Sequence, residues 1–129
     1  MSVDQTKNSV VIGNLAEADA REFLEKHGLA FVEKNFTVFD QNGKKSGEID
    51  LIMRDKHYLV FIEVKKRCNP HYGDALEMIS KQKVSRIIRT ATRFLLKNDY
   101  FDNTPCRFDV VGISQSTITW IKDAFQVQY

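Results

Sequence analysis

The sequence predicts a single α/β domain in which a mixed β-sheet is flanked by helices, with the element order αβββαββ. Two observations support this class. Three segments rich in β-forming residues follow a first amphipathic helical segment, and two more follow a second one. A chain that alternates in this way covers a sheet with its helices, whereas an all-helical bundle or a closed barrel would show one kind of segment only.

The length and composition of the chain set limits on what it can be. Its 129 residues are enough for one ordinary domain and too few for two. We expect residues 9–129 to form that domain and residues 1–8 to form a flexible tail. No apolar run approaches the roughly 18 to 20 residues that span a bilayer, so we expect a cytoplasmic protein without a membrane partner. The formal net charge of +2 does not by itself indicate nucleic-acid binding.

The first half of the chain contains one helix and three strands. Small and apolar residues recur at three- and four-residue steps over residues 9–27, just before a glycine, and predict a helix. Residues 29–39 are rich in β-formers and end in turn-forming residues. Two further strands, over 48–54 and 58–66, are separated by a short polar stretch that suits a tight hairpin.

The second half contains the clearest helix and a final pair of strands. Apolar residues at helical spacing predict a long helix over residues 74–97, with Asp74 as its N-cap. Residues 107–114 and 117–125 then read as two strands around a short turn.

The hairpin places two acids opposite each other. A turn of even length after Asp55 pairs Asp55 with Tyr58, and counting back along both strands sets Asp50 opposite Glu63. Lys65 shares a strand face with Glu63 because side chains alternate. An odd-length turn or a bulge would separate the two acids, so this prediction depends on the register.

Opposed carboxylates are destabilising, so their presence needs an explanation. They can form the oxygen ligand set of a divalent cation, Mg²⁺ above all, or they can share a proton. Lys65 would then reach an attacking water or the developing charge on phosphorus, which completes a set for phosphodiester cleavage. The alternative is an ordinary charged surface on which Glu48, opposite Lys65 in this register, forms a cross-strand ion pair.

Two strand motifs, GEIDLI and VFIEVKKR, resemble the signature of the YraN-like family in the PD-(D/E)XK nuclease superfamily. The helical segments GNLAEADAREFLEKHG and SKQKVSRIIRTATRFL and the late strand RFDVV are similar to the family as well, so the resemblance covers most of the chain. It implies a restriction-endonuclease-like fold, related to archaeal Holliday-junction resolvases. The implied activity is metal-dependent cleavage of branched or otherwise structured DNA.

The resemblance also implies roles for individual residues. Asp50, Glu63 and Lys65 match the catalytic motif, with Asp50, Glu63 and the backbone carbonyl of Val64 as ligands of Mg²⁺ or Mn²⁺. The resolvase-like branch adds an acid from the first helix, which corresponds here to Glu17, as a further catalytic and metal-binding residue. A surface acid at the border of the apolar face is the alternative for Glu17.

Basic residues on the second helix suggest where DNA would bind. They lie on one face beside the apolar stripe, and the motif KKR would extend them. Lys83 falls within the apolar sector itself, so it either snorkels past the edge of the core or points back toward the acidic face of the sheet and contacts a phosphate. The candidate nucleic-acid-binding residues are Lys66, Arg67, Lys83, Arg86, Arg89 and Arg93.

The leading hypothesis is therefore an Mg²⁺-dependent DNA endonuclease. The alternative from another class is a noncatalytic nucleic-acid-binding adaptor that retains the nuclease fold. A resolvase-like activity favours a homodimer, because two strands must be cut.

Overall fold

The structure is a computed structural model that describes residues 9–66, 79–100, 103–114 and 117–127, with side chains from residue 15 onward in the first helix. The predicted flexible tail, residues 1–8, lies outside these ranges. In chain order the elements are α1 (Ser9–Lys26), β1 (Ala30–Phe39), β2 (Lys45–Asp55), β3 (Tyr58–Lys66), α2 (Lys81–Lys97), β4 (Cys106–Ser114) and β5 (Thr117–Phe125). The predicted α/β class and the order αβββαββ are confirmed.

The strands form one mixed five-stranded sheet in the order β1-β2-β3-β4-β5. β1, β2 and β3 pair as antiparallel neighbours, and β5 returns antiparallel to β4. β3 and β4 are parallel, from Leu59↔Cys106 to Lys66↔Ile113, because the chain crosses over through α2 between them. β3 is therefore the central strand, with a neighbour on each side.

The two helices cover opposite faces of the sheet. α1 packs Ala16, Ala20 and Leu24 into the core on one face. α2 packs a second apolar set on the other face, namely Ile87, Ala91 and Phe94. None of the helices in the described part of the chain is long and apolar enough to cross a membrane.

The central strand β3 is buried on both faces. Val60 and Ile62 contact the core under α1, while Leu59 and Phe61 contact the core under α2. All four side chains are at most 1% exposed. A charged residue on such a strand is costly unless it has partners, so Glu63 on the same strand requires a specific environment.

The helix α2 begins later than the sequence pattern predicts. Ile79 and Ser80 precede the helix, and the Ser80 hydroxyl caps it by accepting the backbone N–H of Lys83 at 3.1 Å. The prediction of a continuous helix from Asp74 is therefore wrong at these residues, and Asp74 itself lies outside the described residues. Ile79 fits the helical spacing of apolar residues, but it lies before the helix and packs against Val110 and Ile121.

Side-chain alternation in β2 is interrupted at Asp50. Leu51 and Met53 contact the core under α1, yet Ile49 contacts the core under α2, although all three are odd-numbered. On the neighbouring strand β1, Asn35 has a φ of 54°, a left-handed conformation that asparagine tolerates better than most residues. The regular alternation of side chains along β2 is therefore interrupted at Asp50, the acid of the first motif.

The late strand carries a buried acid that belongs to the core. Asp109 is fully buried and receives two hydrogen bonds of 2.9 Å from the guanidinium of Arg107. The Trp120 indole N–H and the backbone N–H of Asp123 also donate to it, each at 2.9 Å. These four bonds satisfy the carboxylate and join β4 to β5, which gives the RFDVV segment a structural role.

Candidate active site

The hairpin has the predicted register. Asp55 pairs with Tyr58 around a turn that contains Lys56, whose φ of 58° is the left-handed value that such turns require. The ladder then runs without a bulge to Leu51↔Ile62. One step further along both strands are Asp50 and Glu63, so the even-length turn brings the two acids together as predicted.

Beyond the last regular backbone pair of β2 and β3, the Asp50 side chain provides a hydrogen bond between the two strands. Its Oδ2 atom accepts a hydrogen bond from the backbone N–H of Val64 at 2.8 Å. Val64 is 5% exposed, so this N–H has little access to water. The bond fixes the Asp50 carboxylate against the segment of β3 that carries Glu63 and Lys65.

Glu63 is a buried acid with a strongly altered proton affinity. Its side chain is 8% exposed. Burial, followed by a hydrogen bond with Asp50 and the charge of Asp50, raises the pKa of Glu63 from 4.5 to about 8, while Lys83 and Lys65 act in the opposite direction. At neutral pH the two acids therefore share a proton.

Two lysines face this acidic pair. The Lys83 ammonium reaches from α2 to within 3.5 Å of Glu63 Oε2 and is 37% exposed. The Lys83 side chain therefore points toward the acids of the sheet, as one of its two alternatives predicts, and its contact with a phosphate stays a prediction. Lys65 is partly exposed, and its charge lowers the pKa of Glu63, as expected from their shared strand face.

Glu17 approaches Asp50 from α1. Burial and the nearby charge of Asp50 raise the pKa of Glu17, whereas the charge of Lys66 lowers it. Within the described ranges, however, no three acidic, histidine or cysteine side chains are arranged as a ready metal cage. Glu17 is thus an electrostatic neighbour of Asp50 here, and the assembled pair is Asp50 with Glu63.

Glu48 does not pair with Lys65, which corrects the interpretation of a cross-strand ion pair. Its carboxylate is 3.3 Å from the Lys45 ammonium and accepts a hydrogen bond from the Thr37 hydroxyl at 3.4 Å. The β2–β3 ladder ends at Leu51↔Ile62, so Glu48 and Lys65 are not held opposite each other as a cross-strand pair.

A cleft of about 530 Å³ opens beside the acidic pair, between the start of β2 and α2. Its lining residues are Lys45, Ser46, Gly47, Glu48, Lys83, Arg86, Ile87 and Arg89. Three of the predicted nucleic-acid-binding residues are therefore on one surface. Two of the other three do not line it. Arg93 is exposed on α2, and Lys66 is exposed near Glu17. Arg67 lies outside the described residues.

Sequence reasoning missed two contributors to this cleft. Lys45 belongs to the basic pair just before the first motif, and only the closeness of this segment to α2 gives it a role. Gly47 is the second, because a Cβ atom there would collide with the Thr90 hydroxyl of α2. That hydroxyl donates to the Arg86 carbonyl at 2.7 Å. The glycine at the head of the motif thus permits the close approach of β2 to α2.

The fold and the site together define a class of protein. It is a mixed α/β protein in which a pair of carboxylates, one of them buried, lies where a central hairpin ladder ends beside a basic cleft, and two lysines face the pair. The chain belongs to the family described as "Uncharacterised protein family UPF0102", whose model matches residues 16–113. This is the YraN-like family that the strand motifs indicate, and its PD-(D/E)XK-like character is confirmed with it.

Curated relatives match the chain over nearly its whole length. A UPF0102 protein of Pectobacterium carotovorum is 39% identical over 122 residues, covering 94% of this chain and 98% of the relative. One from Coxiella burnetii is 44% identical over 119 residues, covering 92% and 94%. One from Vibrio vulnificus is 46% identical over 116 residues, covering 88% and 90%. These names give the family and no activity, so they support the fold more directly than any chemistry.

Proposed function

We propose that this protein is a metal-dependent DNA endonuclease that hydrolyses phosphodiester bonds. The observation that supports this function most is the pair formed by Asp50 and Glu63. Two carboxylates from neighbouring strands are held together, and the pKa of the buried one, Glu63, is raised to about 8. A buried acid whose proton affinity is shifted by a neighbouring acid, with a lysine 3.5 Å away, is an arrangement more typical of functional sites than of a purely structural position.

A divalent cation suits this pair. Mg²⁺ binds oxygen ligands and is commonly held by one or two carboxylates, with waters and substrate phosphate in its other positions. Asp50 and Glu63 would supply the carboxylates, and the carbonyl of Val64 is the third ligand that the family resemblance implies. The bound cation would polarise the phosphate as a Lewis acid, and Mn²⁺ would serve in its place.

The protein's own groups would bind and orient the substrate. Lys65 lies on the strand face of Glu63 with a flexible, partly exposed ammonium, suited to a water molecule or to charge that develops on a phosphate. The hydrogen bond between Val64 and Asp50 would keep the acid in place through the reaction. The cleft beside it would hold the phosphate backbone through Lys45, Arg86 and Arg89.

Branched or otherwise structured DNA is the substrate class that we propose. It rests on the family's relation to resolvases rather than on the shape of the cleft. Cutting two strands symmetrically would need two active sites, so we propose a homodimer as the active form.

A cleavage panel tests the function. Four-way junction, flap, duplex and single-stranded DNA are incubated with and without Mg²⁺ or Mn²⁺, using wild type, Glu63→Gln and Lys65→Ala. We expect metal-dependent cleavage of at least one structured substrate by wild type and none by either variant, while DNA binding persists. Binding without cleavage of any substrate by wild type would instead support the noncatalytic adaptor.

A further inference from the structure

Lys83 lies between two sites that compete for its charge. Its ammonium is 3.5 Å from the carboxylate of Glu63, and among the described residues it is the one cation in an ion pair with this buried acid. The same side chain is 37% exposed and lines the cleft together with Arg86 and Arg89. Lys83 therefore faces a metal-binding acid on one side and a phosphate-binding surface on the other.

A divalent cation held by Asp50 and Glu63 would occupy the region that Lys83 now neutralises. Two positive centres on one carboxylate repel each other strongly in a buried setting. The backbone of Lys83 is fixed in the first turn of α2 by its N–H bond to the Ser80 hydroxyl. Because the backbone is fixed, the repulsion would be relieved by rotation of the flexible four-carbon stem of the lysine, which would move its ammonium into the cleft.

Once in the cleft, the ammonium would need a new anion. Among the described residues that line the cleft, the one carboxylate is that of Glu48, and it already pairs with Lys45 at 3.3 Å. The other charged lining groups are the guanidiniums of Arg86 and Arg89. A phosphate of bound DNA would supply the missing negative charge.

We propose that Lys83 is the counter-ion of the Asp50–Glu63 pair in the metal-free protein, with its ammonium against Glu63, and transfers to a DNA phosphate when a divalent cation binds. This inference rests on the proposed nuclease function and adds a coupling between its two ligands. Metal binding releases Lys83 for DNA, and DNA accepts the lysine that metal displaces. Each ligand therefore tightens the binding of the other by the same factor.

The coupling is measured with Ca²⁺, an oxygen-seeking cation, and a four-way DNA junction. Calorimetry gives the Ca²⁺ affinity of wild type with and without junction, and the ratio of the two is the coupling factor. Phosphate oxygens that bind the cation directly also contribute to this factor, so the comparison between variants is decisive. Lys83→Met, which keeps the apolar stem, should reduce the factor at least threefold.

Arg89→Met is the matched control, because Arg89 lines the same cleft without contacting Glu63. It should weaken DNA binding and leave the coupling factor unchanged. Equal factors in wild type and Lys83→Met would overturn the proposal for Lys83, even if both proteins bind Ca²⁺ and DNA. A wild-type protein that binds no divalent cation would overturn the proposed nuclease function as well, so the two failures are distinct.

A second readout needs no substitution. Acylation of lysine amines, followed by mass spectrometry, reports how accessible the Lys83 ammonium is in the wild-type protein. Ca²⁺ alone should raise the acylation rate of Lys83 severalfold, and added junction should lower it again. Lys81, an exposed residue at the start of α2, is the internal control and should not respond to Ca²⁺. An acylation rate of Lys83 that does not change when Ca²⁺ binds would contradict the transfer.

Discussion

The side chain of Asp50 accepts the backbone N–H of Val64 at 2.8 Å, immediately beyond the last regular pair of the β2–β3 ladder. The acid of the first motif thereby holds the backbone between the acid and the lysine of the second motif. This hydrogen bond therefore links the strand segment that carries Asp50 directly to the one that carries Glu63 and Lys65.

Replacing Asp50 should separate its structural role from its chemical role. In Asp50→Asn the amide oxygen still accepts the Val64 N–H, whereas Asp50→Ala leaves that buried N–H without a partner. We expect Asp50→Ala to be less stable than Asp50→Asn by about 1–3 kcal/mol in urea unfolding. Both variants should lose calorimetric Mg²⁺ or Mn²⁺ binding by more than about 100-fold, since even outer partners of a metal site cost 10- to 100-fold. Wild-type heats of metal binding in Asp50→Asn would exclude Asp50 as a ligand.

The raised pKa of Glu63 should make stability depend on pH. The folded protein keeps this proton to about pH 8, whereas the unfolded chain releases it near 4.5, so the folded state binds more protons between these values. The stabilisation is complete below the unfolded pKa and is lost as pH rises through the folded pKa. Glu63→Gln removes this titration and should gain stability relative to wild type between about pH 5 and pH 9.

Urea unfolding with a chelator present, repeated across this pH range, provides the measurement. Glu33→Gln, at an exposed acid of β1, is the control, and its stability should run parallel to that of wild type. A Glu63→Gln profile that also runs parallel to wild type would show that the proton is not held in the folded state.

Metal binding should release a proton. A carboxylate must be deprotonated to bind a cation, and Glu63 keeps its proton up to about pH 8. Below that pH the apparent Mn²⁺ affinity should rise with pH, by up to about tenfold per unit. Calorimetry in buffers of different ionisation enthalpy counts the released protons, and a pH-independent affinity would rule out Glu63 as a ligand.

Gly47 should be intolerant of any side chain. A Cβ atom at this position collides with the Thr90 hydroxyl, and Thr90 is 2% exposed and cannot move outward. Gly47→Ala should cost about 1–3 kcal/mol of stability through overpacking. Adding Thr90→Ala removes the colliding oxygen and should recover most of that loss. Thermal unfolding of the single and double variants tests this. If the stability losses of Gly47→Ala and Thr90→Ala simply add in the double variant, the collision is not the cause of the loss.

The cleft arginines should contribute to DNA binding by neutralising phosphates. Removing one phosphate-binding side chain lowers the slope of log affinity against log salt by about 1, so the double variant of Arg86→Ala and Arg89→Ala should reduce it by about 2. Arg93→Ala is the matched control, because Arg93 is exposed on the same helix outside the cleft. Fluorescence anisotropy over a range of salt concentrations measures both. An equal effect of Arg93→Ala would mean that the whole helix face binds DNA.

Local rules were sufficient to predict the hairpin. Strand alternation and an even-length turn depend on neighbouring residues only, so Asp50 and Glu63 could be paired without knowledge of the rest of the chain. The buried character of β3 was equally visible, because its apolar residues occupy both parities of the strand.

Features that depend on distant contacts could not be predicted in the same way. The irregular side-chain alternation at Asp50 occurs beside the left-handed Asn35 of another strand, and Glu48 pairs with Lys45 rather than with Lys65. The start of α2 was misplaced because Ile79 is buried by β4 and β5 rather than by helical packing. Whether Glu17 joins the ligand set depends on where α1 sits above the sheet, which no local pattern specifies.

The position of Glu63 and Lys65 on the central strand also determines how long the site persists. β3 has paired neighbours on both sides and is packed between two apolar layers, so its amides exchange with solvent only when the whole domain opens. Separation of the edge strands β1 and β5 leaves β3 between β2 and β4. We therefore expect Glu63 and Lys65 to keep their relative positions for as long as the domain stays folded.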